Sequence, residues 1–165
     1  MRRTTRKKNR PKRRIITLTI LGICALIVGL YVLATSPIRS ARTQAVQLAE
    51  KYANLKTEDK FYYYNRDKTY YTVAGTNKKN QKIYAVIAQN GKKINIYQQS
   101  EGISEAKAKT LTKNSSKVKK ITHVALGMYK NKPVWEVSYT NEYGNLCYDL
   151  LNFKDGKVIK TIQNI

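Results

Sequence analysis

One short motif has the residue types of a known acyl-transfer site. Ser104 and Lys107 stand in the S-x-x-K spacing that puts a serine nucleophile beside a lysine in penicillin-binding enzymes. Those enzymes also carry S-x-N or S-D-N and K-T-G elements, and this chain has none of them. A helix N-cap explains Ser104 more simply, because a serine side chain there accepts a hydrogen bond from the first turn. The motif therefore predicts a helix start rather than catalysis.

The remaining chemically active side chains stand alone. His123 is the only histidine, and no cysteine, aspartate or second histidine is near it in the sequence. A zinc site needs three or four protein ligands, which His123 and Cys147 do not supply between them. Cys147 lies in a strand pattern with no group beside it to activate its thiol, so we expect a small buried side chain. The sequence predicts no catalytic, metal-binding or cofactor-binding residue, no cofactor, and a protein that is not an enzyme.

The 13 tyrosines are a candidate platform for a glycan or a peptide, above all the run Tyr62, Tyr63 and Tyr64. Tyrosine also favours strands and half-buried sheet faces, and this interpretation accounts for most of them. Trp135 has the same two interpretations. We expect it to pack between a helix and a sheet rather than to contact a ligand.

The N-terminal residues have the pattern of a membrane anchor. Residues 1–14 contain nine cations and no acid, and residues 15–35 are 21 positions without a charge. At about 1.5 Å per residue this segment matches the ~30 Å hydrocarbon core of a bilayer. Only Arg39 and Arg42 follow closely, so the excess of cations predicts a cytoplasmic N-terminus. The C-terminal domain of this single-pass cell-membrane protein is then extracellular.

Two other interpretations of the apolar segment remain open. The first is a signal peptide cut after Ala34, with Val32 and Ala34 as the small residues before the cut. The segment exceeds the ~7–15 apolar residues usual for a signal peptide, which favours an uncleaved anchor. The second is a lipoprotein that uses Cys24. Because Cys24 lies in the middle of the apolar segment, we interpret it as a helix residue instead.

The chain after the anchor is strongly basic. Of the 32 Lys and Arg, nine lie in the tail, which leaves 23 against 10 acids and a net charge of +13. Outside the cell the matching polyanions are wall polymers and lipid head groups rather than nucleic acid. The alternative is a solvated basic surface without a ligand, because the lysines are scattered along the sequence.

An internal repeat with a period of about 64 residues follows the anchor. Its two copies are residues 68–98 and 132–163. The matching pairs are Tyr71 with Trp135, Val73 with Val137, Thr76 with Thr140, Asn77 with Asn141, Tyr84 with Tyr148, Gly91 with Gly156, Lys92 with Lys157, Ile94 with Ile159 and Gln98 with Gln163. Self-similarity at a fixed period predicts two copies of one supersecondary unit.

Each copy has the pattern of a helix followed by antiparallel strands. The first helix is predicted at 37–54, with Ser36 as N-cap and Pro37 at the first helical position, and the second at 104–113. Turns rich in Asn and Gly separate the expected strands. These strands are 61–65, 70–76 and 82–88, with a further candidate at 93–98, and then 121–129, 133–140, 146–153 and 158–162.

The expected fold class is α+β, with an N-terminal transmembrane helix and two repeated units of a helix and an antiparallel sheet. In each unit the helix covers one sheet face and leaves the other free. The two small units are expected to pack together and are joined in the chain near residues 99–103. The predicted domains are a basic cytoplasmic tail at 1–14, the anchor at 15–35, and the units at 36–99 and 100–165.

Three short motifs of the second copy resemble a PepSY-type domain. They are Gly102-Ile103-Ser104 ahead of a helix with Ala108 and Leu111, then Val134-Trp135-Glu136-Val137, and Asp155-Gly156-Lys157-Val158-Ile159 at a hairpin. The first copy resembles this domain less closely, because it has Tyr71 and Thr72 where the second has Trp135 and Glu136, and no acid before Gly91.

With a basic tail, one transmembrane helix and two such units, the whole chain is similar to the TseB-like cell-wall elongation regulators of Gram-positive bacteria. The resemblance implies a PepSY/cystatin-like fold and a non-enzymatic envelope protein. It also implies a penicillin-binding transpeptidase of side-wall growth as the protein partner, while the charge leaves an anionic wall polymer or lipid as the alternative ligand.

Overall fold

A single long helix forms the N-terminal part of the chain. The computed structural model describes residues 10–115 and 117–163, so most of the basic tail, residues 1–9, lies outside the described residues. Helix α1 extends over Arg10–Ala53. Its apolar part has a mean hydropathy of 2.6 and is long enough to cross a membrane, a property that a membrane anchor and a signal sequence share.

The predicted helix start at Ser36 and Pro37 is wrong, because α1 continues through both residues. Proline in a helix interior removes one hydrogen bond and its ring crowds the carbonyl of the residue four positions earlier, but its fixed φ is close to the helical value. The helix ends at Ala53, where Asn54 takes a φ of +50°, in the left-handed region that stops a helix.

Two four-stranded antiparallel sheets follow, and they confirm the α+β class. The first sheet has the order β1-β2-β3-β4, with β1 at Leu55–Asn65, β2 at Thr69–Asn77, β3 at Lys82–Ala88 and β4 at Ile94–Gln98. A short 3₁₀ turn at Gln99–Glu101 leads to helix α2 at Glu105–Ser115. The second sheet has the order β5-β6-β7-β8, with β5 at Val118–Tyr129, β6 at Lys132–Asn141, β7 at Leu146–Asn152 and β8 at Val158–Ile162.

The structure divides into two units, Met1–Ser40 and Ala41–Ile165, and the second unit contains both sheets. In this second unit, the last turns of α1 cover one face of the first sheet. Small residues Ala45 and Ala49 on the helix are buried against Val73, Ile83 and other apolar residues of the sheet. Because alanine side chains are short, helix and sheet come close together.

Helix α2 covers one face of the second sheet. Trp135 of β6 is fully buried and belongs to the same apolar cluster as Ala108 and Leu111 of α2. Its indole Nε1 donates a hydrogen bond of 2.9 Å to the carbonyl of Ile103, so the polar end of the ring is satisfied. The prediction that Trp135 packs between helix and sheet is confirmed.

The face of the first sheet that was predicted to be free is buried by the second sheet. Strand β5, the edge of the second sheet, lies against it, and Thr72 donates a buried hydrogen bond of 2.7 Å to the carbonyl of Leu126. Tyr62 packs on Trp135 on one side of β5, and Tyr64 packs on Gly127 on the other side. A Cβ at Gly127 would come within 2.2 Å of the Tyr64 ring, so only glycine permits this approach.

Candidate functional site

The S-x-x-K motif has the geometry of a helix cap. Ser104 Oγ accepts a hydrogen bond of 3.2 Å from the backbone N–H of Lys107, and α2 begins at the next residue, Glu105. The side chain of Lys107 is exposed. The predicted N-cap is confirmed, and it uses the backbone of Lys107 rather than its ammonium group.

His123 and Cys147 lie on different strands with different exposure. His123 is exposed on β5, and its Nε2 lies 3.4 Å from the carbonyl oxygen of Tyr63. Cys147 is buried in β7, with its thiol 3.7 Å from the carbonyl oxygen of Asn145. Within residues 10–115 and 117–163, no three His, Cys, Asp or Glu side chains are arranged to hold a metal ion.

The tyrosine run divides between the two faces of β1. Tyr62 and Tyr64 point into the core between the sheets, whereas Tyr63 is half-buried and packs its ring parallel to that of Tyr71 on the opposite face. Tyr71 is also only half-buried, unlike Trp135 at the matching position. Trp135 is covered by Tyr62 and Tyr84 of the first sheet, whereas the rings that stack on Tyr71 are those of Phe61 and Tyr63, both of which are themselves only half-buried.

A charged cluster around Glu105 joins α2 to the first sheet. The Glu105 carboxylate accepts hydrogen bonds from Lys60 at 2.5 Å and from the Tyr62 hydroxyl at 2.8 Å, and it pairs with Lys109 at 2.5 Å. Burial alone would raise the pKa of Glu105, but bonds from Lys109, Lys60 and Tyr62 outweigh burial and lower this pKa to about 2. Burial, together with the bond to Glu105, raises the pKa of Tyr62.

The lowered pKa of Glu105 predicts an acid-sensitive contact. Its folded-state pKa of about 2 lies below the ordinary value of 4.5, so the stabilisation is present above pH 4.5 and is lost as the pH falls towards 2. We expect Glu105→Gln to make the free energy of unfolding depend less on pH between pH 4.5 and pH 2. Urea unfolding of the fragment from Arg39 onwards, between pH 6 and pH 2, measures the effect.

The exposed Glu142 provides the control for that experiment. Glu142→Gln removes the same charge from the surface of the second sheet and should leave the slope of stability against pH close to that of the parent. If the free energy of unfolding changed equally with pH in the parent and in Glu105→Gln, the lowered pKa of Glu105 would be contradicted.

A second ion pair joins the two sheets on the far side of β5. The guanidinium Nε of Arg66, just after β1, lies 2.6 Å from the Glu136 carboxylate on β6. The side chains are only 16% and 8% exposed, so the pair is largely removed from water. The guanidinium also lies 4.9 Å from the ring centre of Tyr148. Sequence reasoning missed both clusters because the pairs Lys60–Glu105 and Arg66–Glu136 join residues that are far apart in the chain and lie on different elements.

An apolar groove lies between the last turn of α1 and the edge strand β4. Tyr52 on the helix and Ile94 and Ile96 on the strand line a cleft of about 490 Å³, together with Gly91 and Lys92. Tyr52 is 55% exposed and Ile96 is 46% exposed, which is unusual for large apolar side chains that lie side by side. This groove is the candidate binding site of Ala41–Ile165.

The fold and these surfaces define a class before any relative is considered: an α+β protein with an N-terminal apolar helix and an exposed groove. Residues 44–88 match the family described as the cell wall elongation regulator TseB-like domain. The chain is 31% identical over 157 residues to the probable cell wall elongation regulator TseB of Bacillus subtilis (strain 168). The aligned residues cover 92% of this chain and 98% of that protein.

A solved structure is also similar. The YpmB protein from Bacillus subtilis matches with a TM-score of 0.66 and 32% identity, over 73% of this chain and 95% of that chain. The chain belongs to the family of TseB-like cell wall elongation regulators. The family expected from the sequence motifs is confirmed, although the matched residues 44–88 lie in the half where those motifs were weaker.

Proposed function

We propose that this chain is a membrane-anchored regulator of cell wall elongation whose folded part works outside the cell. The observation that carries the proposal is the apolar part of helix α1, which is long enough to cross a membrane and precedes Ala41–Ile165 in the chain. The nine cations of residues 1–14 favour a cytoplasmic N-terminus, so the helix delivers Ala41–Ile165 to the outer surface.

The proposed partner is a penicillin-binding transpeptidase, and the proposed role is binding rather than catalysis. The relative in Bacillus subtilis carries the name of a probable cell wall elongation regulator, which suits a protein that acts on another protein. The described residues of this chain support the same role, because Ser104 serves as a cap and Cys147 is buried.

We also propose that the two sheets and their helices are tandem PepSY-type units, with limits at 36–99 and 100–165. Supporting positions are Val73 and Val137, which match in the repeat, are both fully buried and lie on the helix-covered faces of their sheets. The helix of the repeated unit at 36–99 would be the C-terminal part of α1.

A second candidate function is charge-driven binding of an anionic wall polymer or of lipid head groups. The net charge of +13 after the anchor favours it. Raising the salt concentration should weaken such binding steeply, because exposed charges are screened over a Debye length of ~8–10 Å. A packed interface between two proteins should change less.

Crosslinking in living cells tests the protein partner. A photo-reactive amino acid placed on the exposed surface of the full-length chain captures what lies beside it, and labelled penicillin then marks any captured transpeptidase. The proposal predicts a penicillin-labelled adduct whose yield stays close to constant when the light is applied at high salt. Adducts with wall polymer alone, whose yield falls steeply when the light is applied at high salt, would favour the second candidate.

A further inference from the structure

A second cleft lies where the two sheets meet. It is lined by Tyr97, which follows Ile96 on β4 and therefore points to the sheet face opposite to the apolar groove. We propose that this cleft binds a short acidic segment of a partner protein, by enclosing one aromatic side chain of that segment and pairing its flanking carboxylates with lysines. This inference rests on the proposed role as a binding protein and specifies the surface and the chemistry of that binding.

Residues from both sheets line this cleft, which has a volume of about 530 Å³. Tyr97 and Glu101 lie at the end of the first sheet and in the 3₁₀ turn that follows it. The residues that line the other side belong to the second sheet and its last turn, and they are Lys132, Pro133, Asn152, Phe153 and Lys154. Clefts of ~300–1,000 Å³ where two structural parts meet have the usual size and place of binding sites.

Two aromatic rings form the apolar part of the cleft. The ring centres of Tyr97 and Phe153 are 5.8 Å apart, and the ring planes are tilted by 51°. Phe153 is buried, whereas Tyr97 is half-buried and keeps part of its side chain open to the cleft. Aromatic side chains pack well against other rings at offset or edge-to-face angles, so an aromatic residue of a partner fits this surface.

Backbone hydrogen bonds hold these rings in place. The N–H of Ile103 donates a bond of 2.7 Å to the carbonyl of Phe153, and the N–H of Phe153 donates one of 3.1 Å to the carbonyl of Pro133. A Cβ at Gly102 would clash with the carbonyl oxygen and the ring of Phe153, so glycine permits this close approach. The cleft is therefore formed before a partner arrives, which lowers the entropic cost of binding.

Two lysines select an acidic partner. Lys132 and Lys154 line the cleft with exposed side chains, and no ion pair of residues 10–115 and 117–163 includes either of them. Glu101 is the one acid in the lining, and its carboxylate accepts a hydrogen bond of 3.2 Å from the backbone N–H of Gln98. Two ammonium groups against one carboxylate favour acidic segments and disfavour basic ones. Because lysine side chains are long and flexible, these ammonium groups can follow a carboxylate at the opening of the cleft.

A capped peptide in which one phenylalanine lies between two pairs of aspartates is the probe. Its binding to the full-length chain in neutral lipid nanodiscs is measured by fluorescence anisotropy. We expect the peptide to bind, and Lys154→Glu to weaken this binding by about fivefold or more, because a repulsion replaces an attraction. Peptides with asparagine in place of each aspartate, or with glycine in place of phenylalanine, should each bind about fivefold more weakly or less well still.

The matched control is Lys157→Glu. Lys157 lies three residues after Lys154 in the same turn between β7 and β8, is also exposed, and does not line the cleft. Both substitutions change the net charge of the chain by the same amount, and both should keep the melting midpoint of the parent because the side chains are exposed. Lys157→Glu should leave peptide binding within about twofold of the parent.

A photo-reactive version of the peptide locates the binding site. With benzoylphenylalanine in place of phenylalanine, illumination should attach the peptide to residues that line the cleft, such as Tyr97 and Pro133. Mass spectrometry of the digested adduct identifies the attachment point.

Five results would overturn the proposal: no binding of the acidic peptide, equal binding of either altered peptide, equal weakening by Lys157→Glu, attachment of the photo-reactive peptide outside the cleft, or displacement of the peptide by an uncharged chitin oligosaccharide. The last result would assign the cleft to a glycan. None of them alters the crosslinking result with labelled penicillin, so the failure of this cleft is distinguishable from the failure of the proposed function.

Discussion

Replacing Trp135 with alanine is expected to lower the free energy of unfolding of Ala41–Ile165 by about 3 to 5 kcal/mol. Trp135 is fully buried, and its ring meets Tyr62 and Tyr84 edge to face at centroid distances of 5.4 and 5.7 Å. Truncation would leave a cavity at the meeting point of α2 and both sheets, and would leave the carbonyl of Ile103 without its indole donor. Thermal unfolding of the fragment from Arg39 onwards should show a midpoint lower by about 10 °C or more.

The exposed aromatic residue Tyr143 provides the control for this substitution. Tyr143 is 74% exposed, so Tyr143→Ala should shift the midpoint very little. If Trp135→Ala instead melted like Tyr143→Ala and lost only binding to a partner, the assignment of Trp135 to the core would be wrong.

Removing one member of the Arg66–Glu136 pair is expected to have the second largest effect. Arg66→Met leaves the Glu136 carboxylate, in a side chain only 8% exposed, without its cation, and this costs on the order of 3 kcal/mol. The double variant with Glu136→Leu removes both charges and should recover most of the loss, because a buried pair is often replaceable by apolar side chains. Urea unfolding of the parent, both single variants and the double variant measures the coupling free energy.

The exposed pair Arg42–Glu58 is the comparison for that cycle. Its 2.8 Å contact is as short as a good hydrogen bond, but the side chain of Arg42 is 57% exposed. Its coupling energy should therefore lie below ~1 kcal/mol. Equal coupling energies for the two pairs would show that the contact between the sheets does not shield Arg66 and Glu136 from water.

The strands could be predicted because they depend on local signals. Alternating apolar residues and turns such as Asn90-Gly91 set the limits of most strands to within a few residues, and the four-stranded first sheet includes the candidate strand at 93–98. β1 begins earlier than predicted, at Leu55, because its first part, with Lys56, Glu58 and Asp59, is too polar to show a strand pattern. Pairing with β2 extends the strand into that part.

The contacts between the sheets could not be predicted from the sequence. The hydrogen bond from Thr72 to Leu126 and the packing of Tyr64 on Gly127 join residues more than fifty positions apart, and no short pattern marks such pairs. The continuous α1 was missed for a different reason. Ser36-Pro37 is a strong local start signal, but the fixed φ of proline also fits a position inside a helix, so the pattern does not distinguish the two. The groove at Ile96 was missed because an exposed isoleucine looks like any strand residue in the sequence.

The central claim is that Ala41–Ile165 lies outside the cell while α1 holds it to the membrane. Single cysteines report this directly once Cys24 and Cys147 have been replaced by serine. A cysteine at Asn90, which is exposed in the turn between β3 and β4, should react with a membrane-impermeant thiol reagent on whole cells, and a cysteine at Asn9 in the basic tail should react only after lysis. Labelling at Asn9 but not at Asn90 on whole cells would contradict the account.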